Sequence, residues 1–207
     1  SPLRAKWITD YVDNKFEKKI VVNPNAVNSD MFKPIKNIDY VKKAHLIDKN
    51  KIVVGMSSSF RWYNDENELS EIIQKTILKN PQILFLLIIG DKNRASIIKK
   101  LLIKKGLINN TKLLQEIPFN EMPEVLNMCD ILISHFNFHG VWPHICSIKH
   151  LEYLAIGKPV VGTNAGYVNF AIEDNINGYL IDEGDINGFS NAILKLAKDK
   201  KKSNALG

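Results

Sequence analysis

The densest concentration of reactive side chains lies between Ser134 and Gly157, SHFNFHGVWPHICSIKHLEYLAIG. It reads as a strand end, a loop carrying His135, His139, Trp142 and His144, and a helix beginning near Ser147. The first turn of a helix holds unpaired N–H groups and a positive partial charge. Cys146, Ser147 and Ile148 therefore offer a diphosphate an anion seat built from backbone, and Lys149 adds a full charge. Ile148, Leu151 and Ala155 form the apolar stripe of this helix, and at about 100° per residue Glu152 falls about 40° from Ile148, at the edge of the buried face. A carboxylate in that position needs a partner. Lys149 three residues earlier is one; a pair of vicinal hydroxyls such as those of a ribose, accepted bidentately, is the other. The loop histidines lack metal-ligand spacing and read as structural or substrate-facing.

A second candidate is the turn Ser57-Ser58-Ser59-Phe60-Arg61. Small residues at a strand end let backbone approach a ligand, and Arg61 presents a planar fork of donors suited to phosphate. Its ordinary alternative is an exposed turn in which Arg61 pairs with Asp65 or Glu66. Gly90-Asp91-Lys92 reads as a helix cap, and Glu116-Ile117-Pro118 as a connector that could show backbone groups to a flat ring. The chain contains neither GxGxxG nor GxxxxGK[ST].

These turns need a scaffold. Strand-like apolar runs occur at Lys51–Ser57, Gln82–Gly90, Thr111–Gln115, Asp130–Ser134, Pro159–Thr163 and Gly178–Ile181. Helical periods at Glu68–Leu78, Ala95–Lys104, Glu121–Met128, Ile148–Ile156 and Ile186–Lys198 alternate with them, Asn120, Ser147 and Asp185 being the expected N-caps. Continuous apolar strands imply helices on both sheet faces, hence an α/β, Rossmann-like, doubly wound parallel sheet of about six strands. Ligands of such sheets bind beyond the carboxyl ends of the strands. The opening stretch breaks the pattern: Ser1–Lys15 reads as an amphipathic helix, Lys19–Val22 as a short strand and Asn23–Pro34 as a turn-rich connection. Residues 1–22 are accordingly expected to be a linker and 23–207 the domain, with the chain forming the second half of something longer.

Composition narrows the function. With 207 residues and 45% hydrophobic content the chain is no disordered segment. Area scaling gives roughly 9,800 Å² exposed when folded against about 34,000 Å² unfolded, enough burial without disulfide staples. Cys129 and Cys146 form no CxxC, which fits a reducing cytosol and no metal site. The longest apolar run, Ile83–Ile89, is far below the ~20 residues of a membrane span, and the start has no signal-peptide layout. A soluble, cytoplasmic protein is expected. The net charge of +6 comes from 28 basic residues, of which only Arg4, Arg61 and Arg94 are arginines, without the basic stripe and interleaved aromatics of a nucleic-acid binder. The one dense run, Lys195, Lys198 and Lys200 to Lys202, reads as a helix end at the negative pole of its dipole, with peripheral contact to anionic lipid at the inner membrane face, or to phosphate, as the alternative.

The stretch Glu152-Tyr153-Leu154-Ala155-Ile156-Gly157-Lys158-Pro159-Val160-Val161, with the later Asp174-Asn175-Ile176-Asn177-Gly178, resembles the donor-binding half of retaining GT-B glycosyltransferases of the group 1 family. Asn23 to Pro34 is similar to that family's P-N-G-V-D-x-x-x-F-x-P entry, Leu87 to Asp91 to its I-V-G-x-G strand, and Met128-Cys129-Asp130 to its A-D-V segment, so the likeness runs from about residue 20 to about residue 200. The resemblance implies a domain binding a nucleotide-diphosphate sugar: Glu152 on the ribose, Cys146, Ser147 and Ile148 with Lys149 on the diphosphate, Ser59 and Arg61 near the phosphates, and Ile117 by the base. It further implies retaining transfer to a glycan, lipid or protein acceptor, no metal or other cofactor, and an N-terminal acceptor domain of the same protein, absent from this chain. Three positions depart from the family pattern. His144 stands where a sugar-contacting Glu often lies, Glu66 where a phosphate-binding Lys does, and Phe170 where a Glu often follows the Gly166 turn. A non-catalytic nucleotide-binding or scaffold module, or a nucleotide-sugar epimerase, remains the alternative.

Overall fold

The structure is a computed structural model that describes residues 5–6, 8–10, 20–21, 23–60, 64–137, 147–165 and 168–207. Six strands form one parallel sheet: β1 (Ile52–Ser58), β2 (Ile83–Ile89), β3 (Thr111–Gln115), β4 (Ile131–Ser134), β5 (Val160–Thr163) and β6 (Gly178–Ile181). Their spatial order is β3-β2-β1-β4-β5-β6. The chain builds outward from β1 in one direction, then returns and builds in the other. The reversal between β1 and β4 makes their carboxyl ends the crevice where such sheets take ligands.

The helices bounded within the described residues from 23 onward are α1 (Asp39–Ala44), α2 (Glu66–Lys79), α3 (Lys92–Lys104), α4 (Met122–Asn127), α5 (Ile148–Ala155), α6 (Val168–Ala171), α7 (Ile186–Lys198) and α8 (Lys200–Leu206). Both faces of the sheet are buried, which is why the strands read as unbroken apolar runs. Val54, Met56, Phe85, Leu87, Ile133 and Val161 face one cluster that holds α2, α3 and α7. Their neighbours Val53, Leu86, Ile88, Leu132 and Val160 face the other, with Phe32, Leu126, Tyr153 and Val168. In β1 the absence of a side chain at Gly55 makes room for the Cys129 thiol, whose burial pushes its pKa up to about 12. Phe32 anchors the entry segment, and Asn127 of α4 stitches it down: its side-chain oxygen accepts from the Ile35 N–H at 3.0 Å while its amide donates to the Lys33 carbonyl at 3.1 Å.

All six strands and five helices lie where periodicity puts them, to within three residues at each end. Several local expectations fail. Ile20 and Val21 join no strand, and Val21 is exposed. Asn120 caps nothing: Glu121 is the N-cap of α4 and makes no side-chain bond there. Ser147 is the N-cap of α5 as expected but makes no side-chain bond there; the caps that do bond are Asp65, Asp91, Asp185 and Asp199. The lysine run divides: Lys195 and Lys198 lie in the last turn of α7 as expected, but the other three do not. α7 ends at Lys198, Asp199 caps a further helix, and Lys200, Lys201 and Lys202 occupy the first turn of α8, at its positive pole. A run of lysines hides this break because Asp199 is the only residue that marks it. The described residues of the first segment, 5–6 and 8–10, are helical, with Lys6 and Asp10 paired at 3.1 Å.

Candidate functional site

The carboxyl ends of β1, β2 and β3 and the first turns of α5 enclose an open cleft of about 510 Å³. Ser57 to Ser59, Ile88 to Gly90, Glu116, Ile117 and Met122 line one side; Ser147, Ile148, Lys149 and Glu152 line the other. Six of the eight residues singled out for substrate binding thus meet here: Ser59, Ile117, Ser147, Ile148, Lys149 and Glu152. Arg61 and Cys146 lie outside the described residues, as do His139, Trp142, His144 and Gly166.

The helix that carries Glu152 is held to β1 by two bonds to one residue. The Ser57 N–H donates to the Tyr153 hydroxyl at 2.9 Å, and the Lys149 ammonium donates to the Ser57 carbonyl at 2.8 Å. Tyr153 is fully buried, so the register between α5 and the end of β1 is fixed on both sides of a single amino acid. His150 adds a third tie, its Nε2 lying 2.6 Å from the Ser134 hydroxyl of β4. Burial drives the His150 pKa down to about 3, helped by the neighbouring Lys149 charge, so the ring is neutral.

This corrects the expected stripe of α5 in part. Ala155 packs against the core as expected, but the fully buried residues are His150 and Tyr153, and Ile148 is 42% exposed and lines the cleft. Counting only apolar positions passes over a histidine that is buried by bonding to a serine. With the inward face centred there, Glu152 lies about 100° around the helix from Tyr153, on the cleft side. Its carboxyl is partly buried, and that burial raises its pKa while the Lys149 charge lowers it. Lys149 itself donates to the Ser57 carbonyl and sits 4.7 Å from the Phe136 ring centre, and no ion pair within 4 Å joins it to Glu152. Burial brings the Lys149 pKa down to about 8, opposed by the Glu152 charge. No described residue hydrogen-bonds the Glu152 carboxylate.

The serine turn is equally constrained. The Ser58 hydroxyl donates to the Asn64 side-chain oxygen at 2.6 Å and accepts from the Phe60 N–H at 3.0 Å, and the Asn64 amide donates to the His135 carbonyl at 2.7 Å. Phe60 at φ +49° and Glu116 at φ +54° both adopt the left-handed conformation. Neither is a glycine, but Leu46 and Asn175 share this conformation away from the cleft, so it does not by itself mark the site. The Gly90-Asp91-Lys92 turn is a helix cap as read, Asp91 accepting from the Arg94 N–H at 3.0 Å, while Gly90 also opens on the cleft. Glu66 pairs with Arg94 at 3.5 Å, Asp65 caps α2, and Glu116 pairs with Lys92 at 2.6 Å on the rim.

His135 leaves the cleft and enters the core. Its Nε2 lies 3.2 Å from Glu68, and burial lowers its pKa to about 4, so the neutral ring donates from Nε2 and leaves Nδ1 bare. The sequence gives Tyr153 no role beyond its place in a motif. Its only signal there is adjacency to Glu152, since its partner lies 96 positions away. Among the described residues no His, Cys, Asp or Glu cluster has the geometry of a metal site, and no helix is long and apolar enough to cross a membrane.

Comparison with known proteins agrees with this architecture. The family model for glycosyl transferases group 1 matches residues 37–207. The Escherichia coli UDP-Gal:alpha-D-GlcNAc-diphosphoundecaprenol alpha-1,3-galactosyltransferase is 27% identical in an alignment of 201 residues that covers 92% of this chain and 47% of that protein. A Rickettsia africae glycosyltransferase superposes with a TM-score of 0.84 at 19% identity, over 100% of this chain and 54% of that one. Anabaena HepE, solved with UDP and glucose, gives 0.78 at 21% identity, over 92% of this chain and 50% of that one. The chain spans about half the length of these relatives. With most of its length matched by the family model, the chain belongs to the group 1 glycosyltransferases.

Proposed function

We propose that this chain is the donor-binding half of a glycosyltransferase that moves a sugar, with retention of anomeric configuration, from a nucleoside-diphosphate sugar to a glycan, lipid or protein acceptor. The observation that carries the reading is the convergence on one cleft of a carboxylate, a helix N-terminus, a lysine and a constrained serine turn. Glu152, with no other hydrogen-bond partner among the described residues, accepts the two ribose hydroxyls. The N–H groups at the start of α5 and the Lys149 ammonium receive the diphosphate, with Arg61 and Cys146 supplementing them. Ser59 lies beside the phosphates, and Ile117 borders the base.

Charge development explains the arrangement. When the bond between sugar and diphosphate lengthens, negative charge grows on the departing phosphate. Fixed N–H dipoles and a lysine held at the wall of the same cleft stabilise that charge, so the reading needs no metal ion. Lys149 is suited to this because its carbonyl partner and buried stem hold it in place. The acceptor and the water-excluding wall come from a second domain of the same protein, residues 1–22 belonging to the connection, and the cleft between the two halves closes over the donor. HepE was solved with UDP and the galactosyltransferase carries UDP-Gal in its name, which makes UDP the first probe.

The test is calorimetry of this chain with UDP, and with the corresponding UDP-sugars once the N-terminal half is restored. Saturable UDP binding weakened by Glu152→Gln is expected, with NMR of the restored enzyme's product showing retained configuration. UDP binding that is absent, or indifferent to Glu152 and Lys149, would overturn the reading.

A further inference from the structure

At the opposite end of the sheet, by the amino ends of β1 and β4 and the approach to β5, lies a second cavity of about 510 Å³. Five lysines, Lys42, Lys49, Lys51, Lys158 and Lys200, line it against one acid, Asp130, leaving a formal excess of four positive charges. They come from α1, the loop before β1, the loop before β5 and α8, so the fold and not a local run of sequence assembles them. Asp130 is partly occupied, one carboxylate oxygen accepting from the Val53 N–H at 2.8 Å, and Lys51 donates to the Pro81 carbonyl at 2.9 Å. Lys42 is only 9% exposed, yet its ammonium meets no hydrogen-bond or ion-pair partner among the described residues. Burial lowers the Lys158 pKa, Lys42 lowers it further, and Asp130 opposes both. The buried stem holds the Lys42 head at the wall of the cavity, and a concave wall of one sign concentrates its field on an anion.

We propose that this cavity binds a phosphate-bearing anion, either a soluble diphosphate or the phosphate headgroup of an anionic lipid. Multiply charged phosphate suits the site because lysines act as compact point charges that do not require planar, bidentate geometry. The inference is independent of the donor cleft, which opens at the other end of the strands and shares no lining residue with it.

Pyrophosphate titrated into the 15N-labelled chain distinguishes the two ends by the amides that respond. Saturable shifts at Ile52, Ile131 and Lys158 are expected, weakened about tenfold by Lys42→Gln, the loss expected for one charge-assisted bond. Lys200→Gln, at an exposed position, weakens them in the same direction and carries the test if the first variant does not fold. Flotation with phosphatidylglycerol vesicles, against phosphatidylcholine alone, separates the sources. Vesicle binding lost in both variants identifies a headgroup, and pyrophosphate binding without vesicle binding identifies a soluble ligand. Shifts confined to Ser57, Ser58 and Lys149, affinities unchanged in both variants, or no saturable response to either probe would overturn the proposal.

Discussion

Replacing Glu152 with Gln is the sharpest perturbation of the donor cleft, because it keeps the shape and one acceptor oxygen while removing the charge. A carboxylate bonded to both ribose hydroxyls loses one charge-assisted bond in the variant, about 1.5 to 3 kcal/mol, or roughly 10- to 150-fold in UDP affinity. The unliganded protein should not suffer. Burial raises the Glu152 pKa, so its charged form opposes folding at neutral pH, and the neutral amide is expected to unfold at the same temperature or higher. A double cycle isolates the contact: UDP and 2′-deoxy-UDP titrated calorimetrically into the parent chain and Glu152→Gln. The substitution should cost much less with the deoxy ligand, because one of the two hydroxyls it serves is already gone. Equal losses with both ligands, a coupling below about 0.5 kcal/mol, would show that Glu152 does not touch the ribose and would refute the assignment.

Lys149 should make UDP affinity pH-dependent. Its ammonium is charged below about 8, so affinity is expected to hold at neutral pH and fall by up to about tenfold per unit above that value, a slope that Lys149→Met removes. Tyr153→Phe takes the acceptor from the Ser57 N–H and should cost about 1 to 2 kcal/mol in urea unfolding while also weakening UDP, since the turn and α5 lose their register. His150 has a folded value of about 3 against about 6.5 when unfolded, so the unfolded chain takes up a proton in between that the native chain refuses. Its contribution to stability is intact above about 6.5 and falls as pH drops, by about 2 kcal/mol at about pH 5. The difference between the parent chain and His150→Gln, followed by urea unfolding across that range, should shrink accordingly.

The sheet was readable because each strand is a local signal: seven consecutive apolar residues at Ile83–Ile89 flanked by Gln82 and Gly90 admit few alternatives. The cleft followed from the sheet, since parallel strands that reverse direction of build-up have a known open end. What escaped depends on contacts between distant residues. Nothing near Tyr153 in sequence says that its hydroxyl reaches Ser57, and nothing near Lys149 says that it serves the same residue from the other side. Those two bonds turned α5 so that His150 faces inward and Ile148 outward, the reverse of what hydrophobicity alone suggests. The rotation matters for function. Had Ile148 faced the sheet, Glu152 would have been drawn towards the core, where a carboxylate calls for a cation. Turned as it is, Glu152 borders the cleft with Lys149 engaged elsewhere, and its open hydrogen-bonding capacity is directed to whatever the cleft receives. The lysine cavity teaches the same lesson in reverse: its five members are too scattered along the chain to read as a cluster, and only the approach of α1, α8 and the two loops to one end of the sheet unites them.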